Sequence, residues 1–552
     1  MTTPARDALQ RFFAPSPLLV GLLVLAWAAF GLFGREPWKP DEAHTVGLAL
    51  SVVRHGDWLV PMLAGEPFME KPPFFFALAA ALGRVFGVAL PFHEAARLAT
   101  LLCLATTLAA SAAAARRLYG AGTGRLAVLL LMGCLGLQVR AHQLITDMGQ
   151  LAGLTIALWG LSYVWTAQTR ADAYRGGWLA AAGGTIAFLC KGLLGPGVLA
   201  LTALGLLAAR PRRKDLALRA LLLAAAVGLL LSVAWPLVLA WRDPVNFREW
   251  LIVNNLGRFL GTNHLGPTNE AWWFYFGLLP WFAFPLWLPL VLPKNEGQRK
   301  VSFSDAPPLI FMGVLLLVLT AAAQSRDLYL LPLLPAFAVW AAGVARRVHW
   351  PYVSRHVAVG LMGSLSTLLL LAWVALLMWP QQALAYLPET LRLAQMPSPS
   401  GLAIAMGLST FVLWGGLIYF DRHHPNADHA LKTTGMWAKG WVVVWALAGT
   451  LWLPYFDTLK GYRQTLGALL PWWPSDGACV QRWALGEPQR AMLDYYYGLH
   501  TVPAARDSHT CPYLLYQAPY GVYPLLDGWI LQTRTSRPGR DSEWLLFYRA
   551  EN

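Results

Sequence analysis

The sequence predicts an α-helical polytopic membrane protein of about thirteen transmembrane helices with a small C-terminal α/β domain outside the bilayer. Three observations predict it. The 552 residues are 57% hydrophobic and only 13% charged, with a mean hydropathy of +0.46. Nearly uncharged runs of bilayer-spanning length recur as far as residue 454. Beyond 455 the hydropathy falls, and charges and turn residues return. A soluble domain is about half apolar and a quarter charged, so the shortage of charge is the sharper signal. It excludes a soluble cytosolic enzyme, a disordered chain and a disulfide-rich secreted scaffold.

The runs fall at about 16–34, 97–115, 126–139, 148–166, 177–190, 192–209, 220–240, 271–292, 307–323, 328–345, 357–379, 401–420 and 440–454. The first follows Arg6 and Arg11 and ends in Gly34-Arg35-Glu36-Pro37 without a small-residue cleavage pattern, so it reads as an uncleaved signal anchor. The stretch 73–91 starts at Pro72-Pro73 and carries Arg84, so it reads as a helix lying at the interface. Positive charge favours the cytoplasmic side. With the N-terminus inside, the inner loops hold most of the Lys and Arg, and the short outer loops hold only Arg140, Lys191, Arg242, Arg248, Arg258, Arg326 and Arg392. Counting 73–91 as a span would reverse that bias. The net charge of +14 is therefore mostly a topology signal, and no nucleic-acid partner is expected.

This topology divides the chain into a transmembrane domain, 1–455, and an outer domain, 456–552. The first carries outer loops at 35–96, with interfacial helices, and at 241–270. In the outer domain, Tyr513–Tyr516, Trp529–Leu531 and Trp544–Tyr548 read as strands and Gln489–Gly498 as a helix. Cys479 and Cys511 are its only cysteines: in an oxidising periplasm they are candidates for a disulfide, the alternative being two buried thiols. The expected location is a bacterial inner membrane, with the N-terminus cytoplasmic and the C-terminal domain periplasmic.

Ionisable groups near a span end are costly, and here they gather on the outer side. Asp41-Glu42 follows Pro40 just beyond the first span; Asp41 is a helix cap or a catalytic carboxylate. Glu70-Lys71 is an idle ion pair or a phosphate contact. Asp147 opens the fourth run as another cap or as a second site acid. Lys191 snorkels to water or faces a cavity. Asn254, Asn255, Arg258 and His264 share the loop 241–270. Arg326 and Asp327 neutralise one another or serve a site, and Tyr329 sits at the interfacial belt. Acid, base and cationic groups on one face suit group transfer from a phosphate-activated lipid. Lys and Arg would stabilise the departing phosphate, and an Asp would orient or deprotonate the acceptor. No nucleotide-binding motif is present, and the absence of mid-membrane charges argues against an ion-coupled transporter.

The segments Pro40-Asp41-Glu42, Gly56-Asp57-Trp58-Leu59-Val60-Pro61, Glu70-Lys71-Pro72, Asp147, Lys191-Gly192, Arg258-Phe259 and Tyr329-Leu330-Leu331-Pro332 resemble class C glycosyltransferases that use polyprenyl-phosphate sugars. They are most like the 4-amino-4-deoxy-L-arabinose lipid A transferases, relatives of the protein mannosyltransferases. The likeness covers about 20–345. It implies Asp41 as the principal catalytic carboxylate, with Asp147 and Glu70 as further catalytic acids. Lys71, Lys191, Arg258, Tyr329, Arg326 and Glu42 are the implied substrate-binding residues. It also implies an undecaprenyl-phosphate sugar donor and lipid A, or another periplasmic molecule, as acceptor. A divalent metal shared by Glu70 and His264 stays open, though neither shows ligand spacing. The alternatives are a protein or polysaccharide hydroxyl as acceptor, or a lipid-linked sugar transporter without chemistry.

Overall fold

The computed structural model describes residues 17–262, 273–295, 301–388, 391–393, 397–421, 428–504, 511–519, 521–524, 526–538 and 543–551. Every apolar run folds as helix. In chain order the longer helices of the first domain are α1 (Pro17–Leu32), α2 (Asp41–His55), α3 (Phe74–Phe86), α4 (Leu98–Tyr119), α5 (Thr123–Met132), α6 (Thr146–Thr166), α7 (Arg170–Lys191), α8 (Leu194–Ala208), α9 (Lys214–Arg242), α10 (Phe274–Phe282), α11 (Ala306–Ala321), α12 (Leu333–Ala345), α13 (Val353–Met378), α14 (Gly401–Asp421) and α15 (His429–Ala448).

Among the described residues, five helical stretches are long and apolar enough to cross a membrane, or up to seven if each bent pair is one span. This is fewer than the thirteen or so runs, and two physical reasons account for part of the difference. Helices α1, α8 and α12 have only 16, 15 and 13 residues. Helices α5 and α15 each bend sharply into the helical segment that follows, by 71° and 68°. A second difference concerns Lys432 and Lys439, which the sequence places in an inner loop. Helix α15 already begins at His429, so both lie within it and are buried. Arg6, Arg11, Arg299, Lys300 and Arg422, which enter the orientation argument, fall outside the described residues.

Helix α6 is buried along most of its length and packs against α4 and α7. Its contact with α7 is backbone to backbone: a Cβ at Gly153 would stand 2.6 Å from the Gly183 carbonyl oxygen and the Ala187 nitrogen. In lipid, where apolar burial does not drive helices together, such close approach supplies the attraction. This rigid pair carries Asp147 at the start of α6 and Lys191 at the end of α7.

The segment 35–96 holds α2, a short hairpin of β1 (Met62–Leu63) and β2 (Glu66–Pro67), and α3. Helix α3 buries Phe75, Phe76, Ala79, Ala80 and Gly83 on one face and exposes Phe74, Val85 and Phe86. The loop after α9 is held down by Trp250, which packs on Trp235, Phe188, Val60 and Met69.

The C-terminal part is a small α/β domain, as read from the sequence. Its sheet has the order β4-β3-β5-β7-β6, from β3 (Val480–Trp483), β4 (Val502–Pro503), β5 (Tyr513–Ala518), β6 (Trp529–Ser536) and β7 (Trp544–Ala550). Helix α16 (Glu487–Tyr497) crosses between the parallel strands β3 and β4. Cys479 and Cys511 form the disulfide, at the edge where β3 pairs with β5. The domain sits on the segment 35–96: Arg54 binds Asp494 at 2.5 Å, Glu66 takes both Arg482 and Arg490, and Glu36 takes Arg463 at 2.9 Å.

Candidate active site

Helix α2 begins directly after Pro40, and no side chain caps it. The capping alternative for Asp41 therefore fails. Its Oδ2 instead accepts from Arg326 Nη2 at 3.0 Å. Helix α6 is likewise uncapped by a side chain, and Asp147, in its first turn, pairs with Lys191. Lys191 does not snorkel outward: its ammonium lies 4.6 Å over the Tyr329 ring. Gly192 makes this turn possible with φ +89°, a conformation that costs other residues dearly, and Asn255 fills the space a Cβ would need.

Glu70 and Lys71 do not pair with each other. Glu70 binds Arg258 at 2.7 Å, and among the described residues Lys71 has no carboxylate partner. Arg326 and Asp327 also turn to different partners, Arg326 to Asp41 and Asp327 to Arg140 at 2.9 Å. Five sequence-distant segments thus converge on one cavity of about 370 Å³. Glu70, Lys71, Asp147, Lys191, Arg258, Arg326 and Tyr329 line its polar end. Leu194 and Leu201 of α8 and Val318 and Leu319 of α11 form an apolar wall. Asp41 stands behind Arg326 rather than in the lining.

The polar end holds four cations, Lys71, Lys191, Arg258 and Arg326, against Glu70, Asp147 and the adjacent Asp41. That excess suits a phosphodiester. Burial alone would raise the Asp41 carboxyl, but Lys71 and Arg326 offset it and hold it below the usual carboxylate range. Glu70 is held down in the same way, burial being outweighed by Lys71 and Arg258. Both carboxylates are ionised at neutral pH.

Glu42 differs in its surroundings from the other residues named. Grouped by resemblance with the substrate-binding residues, it is fully buried and does not line the cavity. Its oxygens accept from Arg35 at 2.5 Å, Arg97 at 2.8 Å and the Trp38 and Leu144 amides at 3.0 and 3.1 Å. Burial opposes its ionisation, yet the two arginines hold it at about 2. Glu42 fixes the start of α2 and so aims Asp41. Sequence reasoning passed over Arg97, a lone charge at the head of an apolar run. It also missed Glu487, whose Oε2 stands 3.6 Å from His44 Nε2. Asn254, on a nine-residue π-helix, Glu249–Gly257, presents a buried Oδ1 with no hydrogen-bond partner in the cavity wall; such wide helical turns are frequent at functional sites.

Among the described residues, no three His, Cys, Asp or Glu side chains come together as a metal site. His264 lies outside them, and Glu70 is committed to Arg258.

Residues 70–241, which include Glu70, Lys71, Asp147 and Lys191, match the family model described as dolichyl-phosphate-mannose-protein mannosyltransferase. The chain also matches the crystal structure of ArnT from Cupriavidus metallidurans bound to undecaprenyl phosphate, with a TM-score of 0.66 and 17% identity, over 96% of this chain and 97% of that one. The fold is that of the class C glycosyltransferases. Among relatives in sequence, the undecaprenyl phosphate-α-4-amino-4-deoxy-L-arabinose arabinosyl transferase of Pseudomonas paraeruginosa is 28% identical over 322 residues, 55% of this chain and 56% of that protein. That of Serratia proteamaculans is 27% identical over 330 residues, 57% and 56% respectively. The matched segment spans little more than half the length of these relatives. The resemblance carried by the sequence motifs thus holds in family model, relatives and fold.

Proposed function

We propose that the protein is an inner-membrane glycosyltransferase that moves a sugar of the 4-amino-4-deoxy-L-arabinose type from undecaprenyl phosphate to a lipid A phosphate on the periplasmic face. The observation that carries the proposal is Lys71, a cation without a carboxylate partner among the described residues, set in a cavity with three further cations and an apolar wall. The phosphodiester of the donor sits at Lys71, Lys191, Arg258 and Arg326, and the start of the polyprenyl tail runs along α8 and α11. An acceptor oxygen bonds to the sugar C1 as the C1–O bond to phosphate breaks. The electron pair leaves on the polyprenyl phosphate, whose added charge the four cations stabilise. A phosphate acceptor is already largely ionised at neutral pH, so Asp41 orients it. For this work the protein has about thirteen spans, a cytoplasmic N-terminus and a periplasmic C-terminal domain. The position of Arg326 supports Asp41 as the catalytic carboxylate, with Asp147 and Glu70 setting the cations.

A second reading, a protein or polysaccharide hydroxyl as acceptor, draws on the ionised state of Asp41, because a hydroxyl needs a base. A panel of polyprenyl-phosphate sugars offered to the purified protein with lipid A, and separately with a protein or polysaccharide acceptor, tests both. Glycosylated lipid A from the aminoarabinose donor is the expected product. Donor consumption only in the presence of a hydroxyl acceptor would transfer the assignment to the second reading, and no consumption of any donor would end both.

A further inference from the structure

Helix α12 starts just after Tyr329 of the active-site cavity and runs away from it for 13 residues. At the helical rise this is about 20 Å. At that far end a separate cavity of about 220 Å³ opens between α5, the segment 284–292 and the first turns of α13 and α15. Its walls include Leu130, Phe284, Leu288, Leu292, Trp350 and Trp437. The hydroxyls in the lining are already used. Ser354 Oγ donates to the Pro351 carbonyl at 2.7 Å and lies 3.0 Å from Thr433 Oγ1, while Thr434 Oγ1 donates to the Ala430 carbonyl at 2.8 Å. Both indoles are used as well, Trp350 Nε1 on the Ala345 carbonyl at 3.0 Å and Trp437 Nε1 on the Gly133 carbonyl at 2.9 Å. A cavity whose polar groups are all satisfied from within stays dry and takes hydrocarbon.

The rim has the opposite character. Lys294, two residues past the lining Leu292, forms an antiparallel bridge with Val348, two residues before the lining Trp350. The bridge is closed by the Asn295 amide on the Arg347 carbonyl at 3.0 Å and the His349 amide on the Pro293 carbonyl at 2.7 Å. Arg346 is taken by Asp428, and Arg347 by Asp305 at 2.8 Å. Lys294 is exposed, and among the described residues it has no carboxylate partner.

We infer that this cavity binds an anionic phospholipid, with one acyl chain between α13 and α15 and the phosphate at Lys294. The dry interior takes the chain, and the uncommitted ammonium at its mouth takes the headgroup. Basic pockets between membrane helices recognise anionic lipids in this way. A zwitterionic headgroup would bring its own cation to a rim that already carries Lys294, Arg346, Arg347 and Arg355, so the selection is for net negative charge. The site stands at the opposite end of α12 from the active-site cavity, and the inference does not depend on the transfer reaction.

The test takes the full-length protein, delipidated in detergent, and offers it phosphatidylglycerol, phosphatidylethanolamine or glycerol 3-phosphate. Native mass spectrometry reads retention, and the thermal midpoint without lipid checks the fold of each variant. The wild type should hold one phosphatidylglycerol about 10-fold more tightly than phosphatidylethanolamine. Lys294→Glu, at an exposed position, should keep the midpoint and lose about 10-fold in phosphatidylglycerol affinity, whereas Lys294→Arg should bind as wild type does. Val357→Trp, which fills the cavity from its half-exposed side, should release both lipids. Lys71→Gln, in the other cavity, should retain phosphatidylglycerol unchanged, and millimolar glycerol 3-phosphate should displace none of it. Equal retention of the two lipids, or equal retention by wild type and Lys294→Glu, would overturn the assignment. So would displacement by glycerol 3-phosphate, or a loss confined to Lys71→Gln, which would put the lipid in the active-site cavity.

Discussion

Asp41 and Glu42 are adjacent carboxylates with opposite surroundings. Glu42 has no exposure and four internal partners, whereas Asp41 is partly exposed and shares one arginine with the cavity. His44, one turn on, faces Lys71, Asp41, Glu70, Arg326 and Glu487. Burial, aided by Lys71, brings its pKa down to about 4 from the ordinary 6.5. The unfolded chain therefore takes up this proton first, so the contribution to stability is complete above pH 6.5 and is lost as pH falls toward 4. The loss amounts to about 3 kcal/mol at most. Thermal unfolding of wild type and His44→Gln at pH 7 and 5 should show a smaller acid drop in the variant. Equal drops would contradict a buried neutral imidazole. The site residues were legible as outer-face charges, but their pairing was not. Adjacency suggested Glu70 with Lys71 and Arg326 with Asp327, whereas the fold joins Glu70 to Arg258 and Arg326 to Asp41, contacts across 188 and 285 positions.

Helices were the most legible elements, because each needs only a local run of apolar residues. What escaped was short or was fixed from afar. The two-residue strand β4 has too little pattern to read, and α15 starts before its apolar run because Lys432 and Lys439 are buried by packing. Helix α2 is set in place by Glu42 between Arg35 and Arg97, all three buried. Removing one partner of such a group strands the other charges in a dry interior, at about 3–5 kcal/mol. Glu42→Ala should accordingly lower the thermal midpoint in detergent and reduce the yield of folded protein, with no dependence on donor concentration. Wild-type stability with a selective rise in a substrate KM would return Glu42 to the binding residues.

For the molecule as a whole, sidedness is the property on which the chemistry depends. The C-terminal domain packs on the loop that carries Asp41, so the proposed topology must put both on one side of the membrane. The disulfide Cys479–Cys511 reports which side, while Cys103, Cys134 and Cys190 are buried and slow to react. Protein taken from cells under denaturing conditions without reductant should take maleimide–polyethylene glycol at three cysteines, and at five after reduction. Five without reductant would place the domain in a reducing compartment. The central claim is that Asp41, held by Arg326 at the edge of the cavity, governs sugar transfer. The most direct test is the transfer rate of Asp41→Asn at saturating undecaprenyl-phosphate aminoarabinose and lipid A, measured on protein whose thermal midpoint matches wild type. The account predicts a fall of at least about 100-fold; a rate equal to wild type would contradict it.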